Sequence, residues 1–204
     1  MKSLIFGRIA IFRSLLIASC AIALWCSVPT VTASDFGNSS NGNIAASDLV
    51  EQIRKSALSG SAASQYELGQ LYEYGRGVEQ DDSAAVLWYG KSADQNYASA
   101  QYRLAVLVDN GWGHPVDKEK AFGLYESAAE RGHELAQHDT AIMYFKGSGV
   151  HKDLVQAYKW LKIAELSGNP LMQKHLRRVA KEMSADEIKK AEYFAKHWIK
   201  EPGI

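Results

Sequence analysis

From residue 61 onward the chain repeats itself every 36 residues, and no gap is needed to keep the register. Gln65, Gln101 and Gln137 align. So do Leu71, Leu107 and Met143, and the paired glycines Gly75/Gly77, Gly111/Gly113 and Gly147/Gly149. Asp81, Asp117 and Asp153 follow at one interval, then Ala85, Ala121 and Ala157, then Trp88, Leu124 and Trp160. A period in this range is the signature of stacked supersecondary units, each too small to bury its own apolar face alone. The repeat therefore constrains the fold more than composition does, since 47% apolar and 23% charged residues fit most soluble domains.

Within a unit the apolar and small residues recur at helical spacing. The first helix of unit one is expected over 62–74, with Ala63, Tyr66, Leu68, Leu71 and Tyr72, and it ends where glycine accepts a positive φ. Asp81 is expected to cap a second helix over 82–95, its carboxylate accepting free N–H groups at the positive end of the helix dipole. Asn96, Gly132 and Gly168 close the units. Small residues at 69, 105, 141 and at 85, 121, 157 allow two helices to approach closely. The Gly-x-Gly pairs are thus hinges. A dinucleotide fingerprint would need a third glycine and a preceding strand, and this sequence supplies neither.

Taken together these residues resemble the Sel-1-like repeat, a member of the tetratricopeptide superfamily. Unit one carries Leu68-Gly69, Leu71-Tyr72, Gly75, Gly77-Val78, Asp81, Ala85 and Trp88-Tyr89; unit three carries Tyr144, Gly147, Gly149-Val150, Asp153, Ala157 and Trp160. Unit two departs most, with Val108 for the tyrosine, His114-Pro115 at the valine step and Leu124 for the tryptophan. The resemblance covers 61–168 as units 61–96, 97–132 and 133–168. It implies an all-α, right-handed superhelical solenoid of helix-turn-helix repeats that acts as an adaptor for other proteins. The flanks fit: residues 47–60 align with a second helix alone, Gln173, Leu176 and Val179 continue the first-helix pattern, and Ser184 with Glu187 forms a capping box before a last helix. Capping helices over 47–60 and 169–204 would close the stack.

If first helices line the groove, as in tetratricopeptide relatives, the partner-binding face is expected to carry Tyr66, Gln70, Glu73 and Tyr74 from unit one. Unit two would add Tyr102, Asp109 and Asn110, unit three His138, Phe145 and Lys146, and the closing segment Lys174, Arg178 and Lys181. Aromatic and charged residues that the scaffold does not require are natural anchors for a partner. Trp88, Tyr89, Tyr125 and Trp160 stand at repeat positions and are expected in the core. Charge is polarised along the stack. Residues 61–97 hold Glu67, Glu73, Glu79, Asp81, Asp82 and Asp94 against Arg76 and Lys91, whereas 170–200 hold eight bases and four acids.

The first 33 residues read differently. Lys2, Arg8 and Arg13 precede an apolar run from Leu15 to about Val28, and Val31-Thr32-Ala33 gives a small-x-small exit before Ser34. This describes a secretory signal peptide cleaved near Ala33/Ser34, hence a periplasmic or secreted protein. A retained anchor, or lipidation at Cys20 after Ile17-Ala18-Ser19, are the alternatives. Residues 34–46, rich in Ser, Asn and Gly, read as a flexible linker. Both cysteines, Cys20 and Cys26, lie in the leader, so the remainder has no thiol for catalysis, metal binding or a disulfide. Removing the leader's three bases from 23 basic and 23 acidic side chains leaves a net of −3, which disfavours nucleic acid as a partner.

Signatures of chemistry are weak. His133-Glu134 and His138 are spaced H-E-x-x-x-H, so on a helix the imidazoles would point about 140° apart and could not share a metal. No G-x-S-x-G or S-x-x-K occurs. The expectation is no catalytic residue, no metal, no cofactor, and a protein or peptide partner, with membrane contact only if the leader is retained. A hydrolase acting on cell-wall material or β-lactams, and a membrane-tethered regulator, are the competing readings.

Overall fold

A computed structural model describes residues 39–167 and 170–200. The leader, the start of the linker, Gly168, Asn169 and the last four residues lie outside them. The described residues form α-helices α1 (Ser39–Leu58), α2 (Ala62–Tyr74), α3 (Asp82–Ala93), α4 (Ala98–Asn110), α5 (Lys118–Glu130), α6 (Glu134–Lys146), α7 (Leu154–Ala164), α8 (Pro170–Ala180) and α9 (Ala185–Lys200). A 3₁₀ turn over Glu165–Ser167 follows α7. Helices pair within units as α2/α3, α4/α5 and α6/α7, and between units as α3/α4 and α5/α6. This is the all-α solenoid that the repeat implies.

Each hinge is built alike. Gly75, Gly111 and Gly147 take φ of 63°, 77° and 68°, and their N–H groups bond back to Leu71, Leu107 and Met143. The N–H of Asp81, Asp117 and Asp153 then closes the loop on the carbonyls of Tyr72, Val108 and Tyr144, at 3.0, 3.3 and 3.1 Å. Their carboxylates cap α3, α5 and α7 by accepting from Ala84, Lys120 and Gln156.

The second glycine of each pair has a different task. A Cβ on Gly113 would lie 2.3 Å from the carbonyl carbon of Asp82, and one on Gly149 would lie 2.0 Å from the carbonyl oxygen of Lys118. The hinge of each later unit therefore sits directly on the N-terminus of the previous unit's second helix, and only hydrogen fits between them. Gly69 allows the other close approach: a Cβ there would fall 2.6 Å from the ring of Tyr89, which packs flat on α2.

Units are also tied by a buried glutamine. Gln65, Gln101 and Gln137 are 6%, 4% and 4% exposed, and each donates from Nε2 to the carbonyl eight residues earlier, Ala57, Ala93 and Ala129. Each of these carbonyls also accepts a backbone N–H, from Gly60, Asn96 and Gly132, so the glutamine adds a second bond at the end of the preceding helix. Gln173 holds the same place in α8 but donates to the Glu165 carboxylate.

The core runs along the whole stack: Leu68, Tyr89, Leu104, Leu107, Tyr125, Met143, Trp160, Leu161, Leu176 and Val179 are all buried. Trp88 is a correction. It is half-buried beneath the Lys91 ammonium, 4.2 Å from the ring, because adjacent Tyr89 takes the inward direction. Trp160, at the same repeat position, is 1% exposed because Trp198 of α9 meets it edge-on at 5.8 Å. Helix α9 packs on α7, and its first turn has the expected box, with Ser184 Oγ and Glu187 Oε2 at 2.8 Å. The N-terminal boundary also differs from expectation. Helix α1 begins at Ser39, inside the segment read as linker, and Leu49 of its supposed apolar face is 57% exposed while Ala57 is 1%. Local composition reads as linker, but α1 packs on α2, where Ala57 is buried and its carbonyl accepts Gln65 Nε2.

Two outcomes test this account by chemical denaturation. Gly113→Ala or Gly149→Ala should each destabilise by about 3 kcal/mol, from positive φ and steric overlap combined, whereas Gly90→Ala and Gly123→Ala should stabilise by about 1 kcal/mol because both are helical and face open space. Trp160→Ala should cost about 3–5 kcal/mol and Trp88→Ala clearly less.

Candidate functional site

First helices α2, α4, α6 and α8 carry every residue expected on the partner face except Lys181, which follows α8 directly. Side-chain bonds join them directly, from α2 to α4 through Glu73 and Arg103 and from α6 to α8 through His138 and His175. The face is therefore a surface of linked polar and aromatic groups.

In unit one most of these groups are committed to one another. Tyr66 is half-buried between the rings of Tyr89 and Tyr97, at 5.6 and 5.4 Å, and its hydroxyl accepts from Gln70 Nε2 at 3.0 Å. Glu73 corrects the expectation of an exposed anchor, because it is 7% exposed. Its carboxylate accepts the Tyr89 hydroxyl at 2.6 Å and Arg103 Nε at 3.2 Å, and Arg103 Nη2 makes a second, closer bond. A carboxylate can be buried here because a guanidinium and a phenol satisfy it together. Tyr74 remains available: it is 47% exposed, with Arg103 Nη2 donating to its hydroxyl at 2.8 Å and the Arg76 guanidinium 4.9 Å from its ring. Arg103, which bonds both Glu73 and Tyr74, carries no signal in the single unit. Its role emerges only from residues 30 apart meeting across neighbouring helices, as Lys152 and Glu182 also do at 2.8 Å.

Unit two is arranged otherwise. Tyr102 stacks on His133 at 4.5 Å, and burial together with the Asp139 carboxylate pushes its phenol up to about 12. Asp109 receives Lys118 Nζ at 2.8 Å, and Asn110 is exposed with its amide donating to the Val106 carbonyl. His133 caps α6 by accepting from the Ala136 N–H at 3.3 Å, far from any shared ligand role with His138.

At the far end the Asp139 carboxylate accepts from His138 Nδ1 at 2.8 Å, which leaves His138 Nε2 to accept from His175 Nδ1 at 2.9 Å. Phe145 lies between two cations, Lys152 at 5.4 Å and Arg178 at 5.2 Å. Lys146 is exposed. Lys174 and Arg178 of α8, and Lys181 just after it, are exposed, and among the described residues none of them pairs with a carboxylate. Their charge reaches His175: burial first, then His138, Lys174 and Arg178, hold its imidazole below the usual histidine range. Burial does the same to His133, against the opposing pull of Glu134 and Asp139.

A histidine held low in the folded state binds fewer protons than it does unfolded. Stability is then intact above about pH 6.5 and falls as pH drops through that value, where the unfolded chain takes up protons first. Urea denaturation midpoints should decline below pH 6.5, and His175→Gln should make that decline shallower.

The scaffold residues have clear counterparts in known proteins. The family model described as Sel1 repeat matches residues 62–97, 98–133 and 135–169. The crystal structure of a Sel1 repeat protein from Oxalobacter formigenes is similar, at 35% identity and a TM-score of 0.59, covering 64% of this chain and 98% of that one. A protective antigen of uropathogenic Escherichia coli strains displaying an SLR fold is similar at 27% identity and a TM-score of 0.50, over 76% of this chain and 41% of that one. No curated protein matches the sequence. With three consecutive units matched over more than half of its length, and the capping aspartates, hinge glycines and clamp glutamines all in place, the chain belongs to the Sel1 repeat family.

Proposed function

We propose that this protein is an exported, non-catalytic adaptor that holds a protein partner against the face formed by its first helices. Sel1 repeats generally mediate protein–protein interaction and are typically non-catalytic scaffolds. The observation that carries the reading is a division of labour among repeat positions. Those occupied alike in each unit are consumed by the scaffold: the hinge glycines, the capping aspartates, the clamp glutamines and the small residues under the helix crossings. Positions on the first-helix face change from unit to unit. Tyr66, Tyr102, His138 and Lys174 are equivalent, as are Tyr74, Asn110 and Lys146. A surface held rigid by the scaffold and varied in side chain suits recognition of one extended partner, because little ordering entropy is lost on the scaffold side.

Export rests on the basic, apolar and small-residue order of the first 33 residues. Among the described residues no helix is long and apolar enough to cross a membrane. The unpaired cations of α8 and the acidic excess of unit one would orient a charged partner and raise its encounter rate.

Photo-crosslinking in the native host tests the reading. A crosslinking amino acid at Tyr74 or Lys146, both exposed on first helices, should capture a discrete protein band that the same group at Leu87 or Lys120, exposed on second helices, does not. Equal capture from both faces, or from second helices alone, would move the binding surface elsewhere.

A further inference from the structure

In each of the three units one position of the first helix is small and buried beneath its second helix: Gly69, Ala105 and Ala141. One further period on, the equivalent residue is Arg177 of α8, and it is exposed. The reason lies in α9, which packs on α7 rather than on α8. Helix α8 is thus a first helix with no second helix laid against it. In unit one that side carries the Tyr89 ring over Gly69 and the Tyr89 hydroxyl on Glu73. The α8 equivalents of Gly69 and Glu73 are Arg177 and Lys181.

The open side is basic throughout. Pro170–Ala180 contains no acid, its Lys174, Arg177 and Arg178 are all exposed, and exposed Lys181 follows directly. At helical spacing the first three fall within an arc of about 100°, opposite buried Met172, Leu176 and Val179. Among the described residues none of the four cations forms a salt bridge, whereas Arg54, Arg103, Lys118, Lys152, Lys162 and Lys189 each meet a carboxylate. The Arg178 guanidinium lies 5.2 Å from the Phe145 ring, so the basic side continues onto the first-helix face of α6.

Like charges three and four residues apart repel along a helix. The helix dipole favours Arg177 and Arg178 in the last turn of α8, but it does not reach Lys174 in the middle. The repulsion is felt locally, since Lys174 and Arg178 both oppose a charge on His175, after burial and His138.

We propose that an acidic segment of the partner protein lies along this open side of α8, its carboxylates taken by Lys174, Arg177, Arg178 and Lys181. The inference rests on the adaptor reading above and names the chemistry of what is held. Charge complementarity selects the occupant, and the two guanidinium forks match carboxylates in pairs of parallel bonds. An anionic membrane fits less well. The apolar stripe of α8 faces the stack, so none is left to enter a bilayer as a surface-seeking helix requires.

The test is an NMR titration of the ¹⁵N-labelled full chain with the peptide acetyl-Glu-Glu-Ser-Glu-Glu-Ser-Glu-amide, with its all-glutamine counterpart as comparison. Amide shifts should cluster between Lys174 and Lys181 and saturate at roughly millimolar peptide. A tenfold rise in sodium chloride should weaken binding about fivefold, and the glutamine peptide should bind at least about tenfold more weakly. Bound carboxylates answer Lys174 and Arg178, so the His175 imidazole should titrate at higher pH in the complex, with His138 and Asp139 of α6 still against it. Replacing Arg177→Gln and Arg178→Gln together should weaken the acidic peptide at least fivefold. Lys189→Gln with Lys190→Gln, which removes the same charge from exposed positions of α9, should leave it within twofold. Both double variants should keep the circular dichroism spectrum of the parent.

Equal binding of the glutamine peptide, or equal weakening by the two double variants, would overturn the proposal. So would phosphatidylglycerol vesicles sedimenting the chain through Arg177 and Arg178 while the peptide moves no α8 resonance, because the surface would then be a lipid site. Concentration-dependent broadening of the same amides without peptide would assign the surface to a second copy and overturn it equally. If crosslinking from Tyr74 and Lys146 succeeds while the peptide does not bind, this inference alone fails. If the peptide binds α8 but no partner is captured from the first-helix face, the adaptor reading fails.

Discussion

The stack depends on a backbone-to-backbone approach that no side chain could survive. Gly113 and Gly149 rest on the first residues of the preceding unit's second helix, within a distance that leaves no room for a methyl group. This fixes where each hinge lies, and so fixes the offset from unit to unit. Everything else follows that offset: the glutamine that reaches the end of the previous helix, the tyrosine laid over Gly69, and the meeting of residues 30 apart along the chain. The two glycines of a pair are therefore not interchangeable. One ends a helix through its left-handed conformation, and the other makes contact between units.

Much of this was legible in the sequence. The period gave the units, the aspartates gave the caps, and α2 ends where glycine said it would. Two kinds of feature were not legible, for physical reasons. Periodicity assigns a helix face but not the depth at which a ring sits, so Trp88 and Trp160 share a position yet differ in burial, because only Trp160 has α9 above it. Contacts across units, meanwhile, involve residues whose separation is not the period itself. Glu73 looked like a free acid because Arg103, its partner, belongs to the next unit. His175 was invisible for the same reason, since it meets His138 across the last interval. Of the partner face, Tyr74, Asn110, Lys146, Lys174 and Arg178 lie exposed on first helices, while Tyr66, Tyr102 and Glu73 are partly or wholly absorbed into packing.

The face is thus less a groove of free side chains than a lattice of satisfied pairs with gaps. Glu73 of unit one is answered by Arg103 of unit two, Phe145 of unit three lies between two cations, and among the described residues the α8 cations have no carboxylate partner. Burial of Glu73 beside Arg103 and Tyr89 shows how such a pair can be accommodated: each charge is fully answered, and geometry supplies the specificity.

Helix α9 bears on how the assembly stops. By laying Trp198 across Trp160 it occupies ground that another repeat would otherwise use. Stripped of that lid, the third unit would present a naked aromatic shelf shaped by the same rules as its interior seams. Molecules so shortened would be drawn to add to one another end over end, turning a finite stack into a growing fibre.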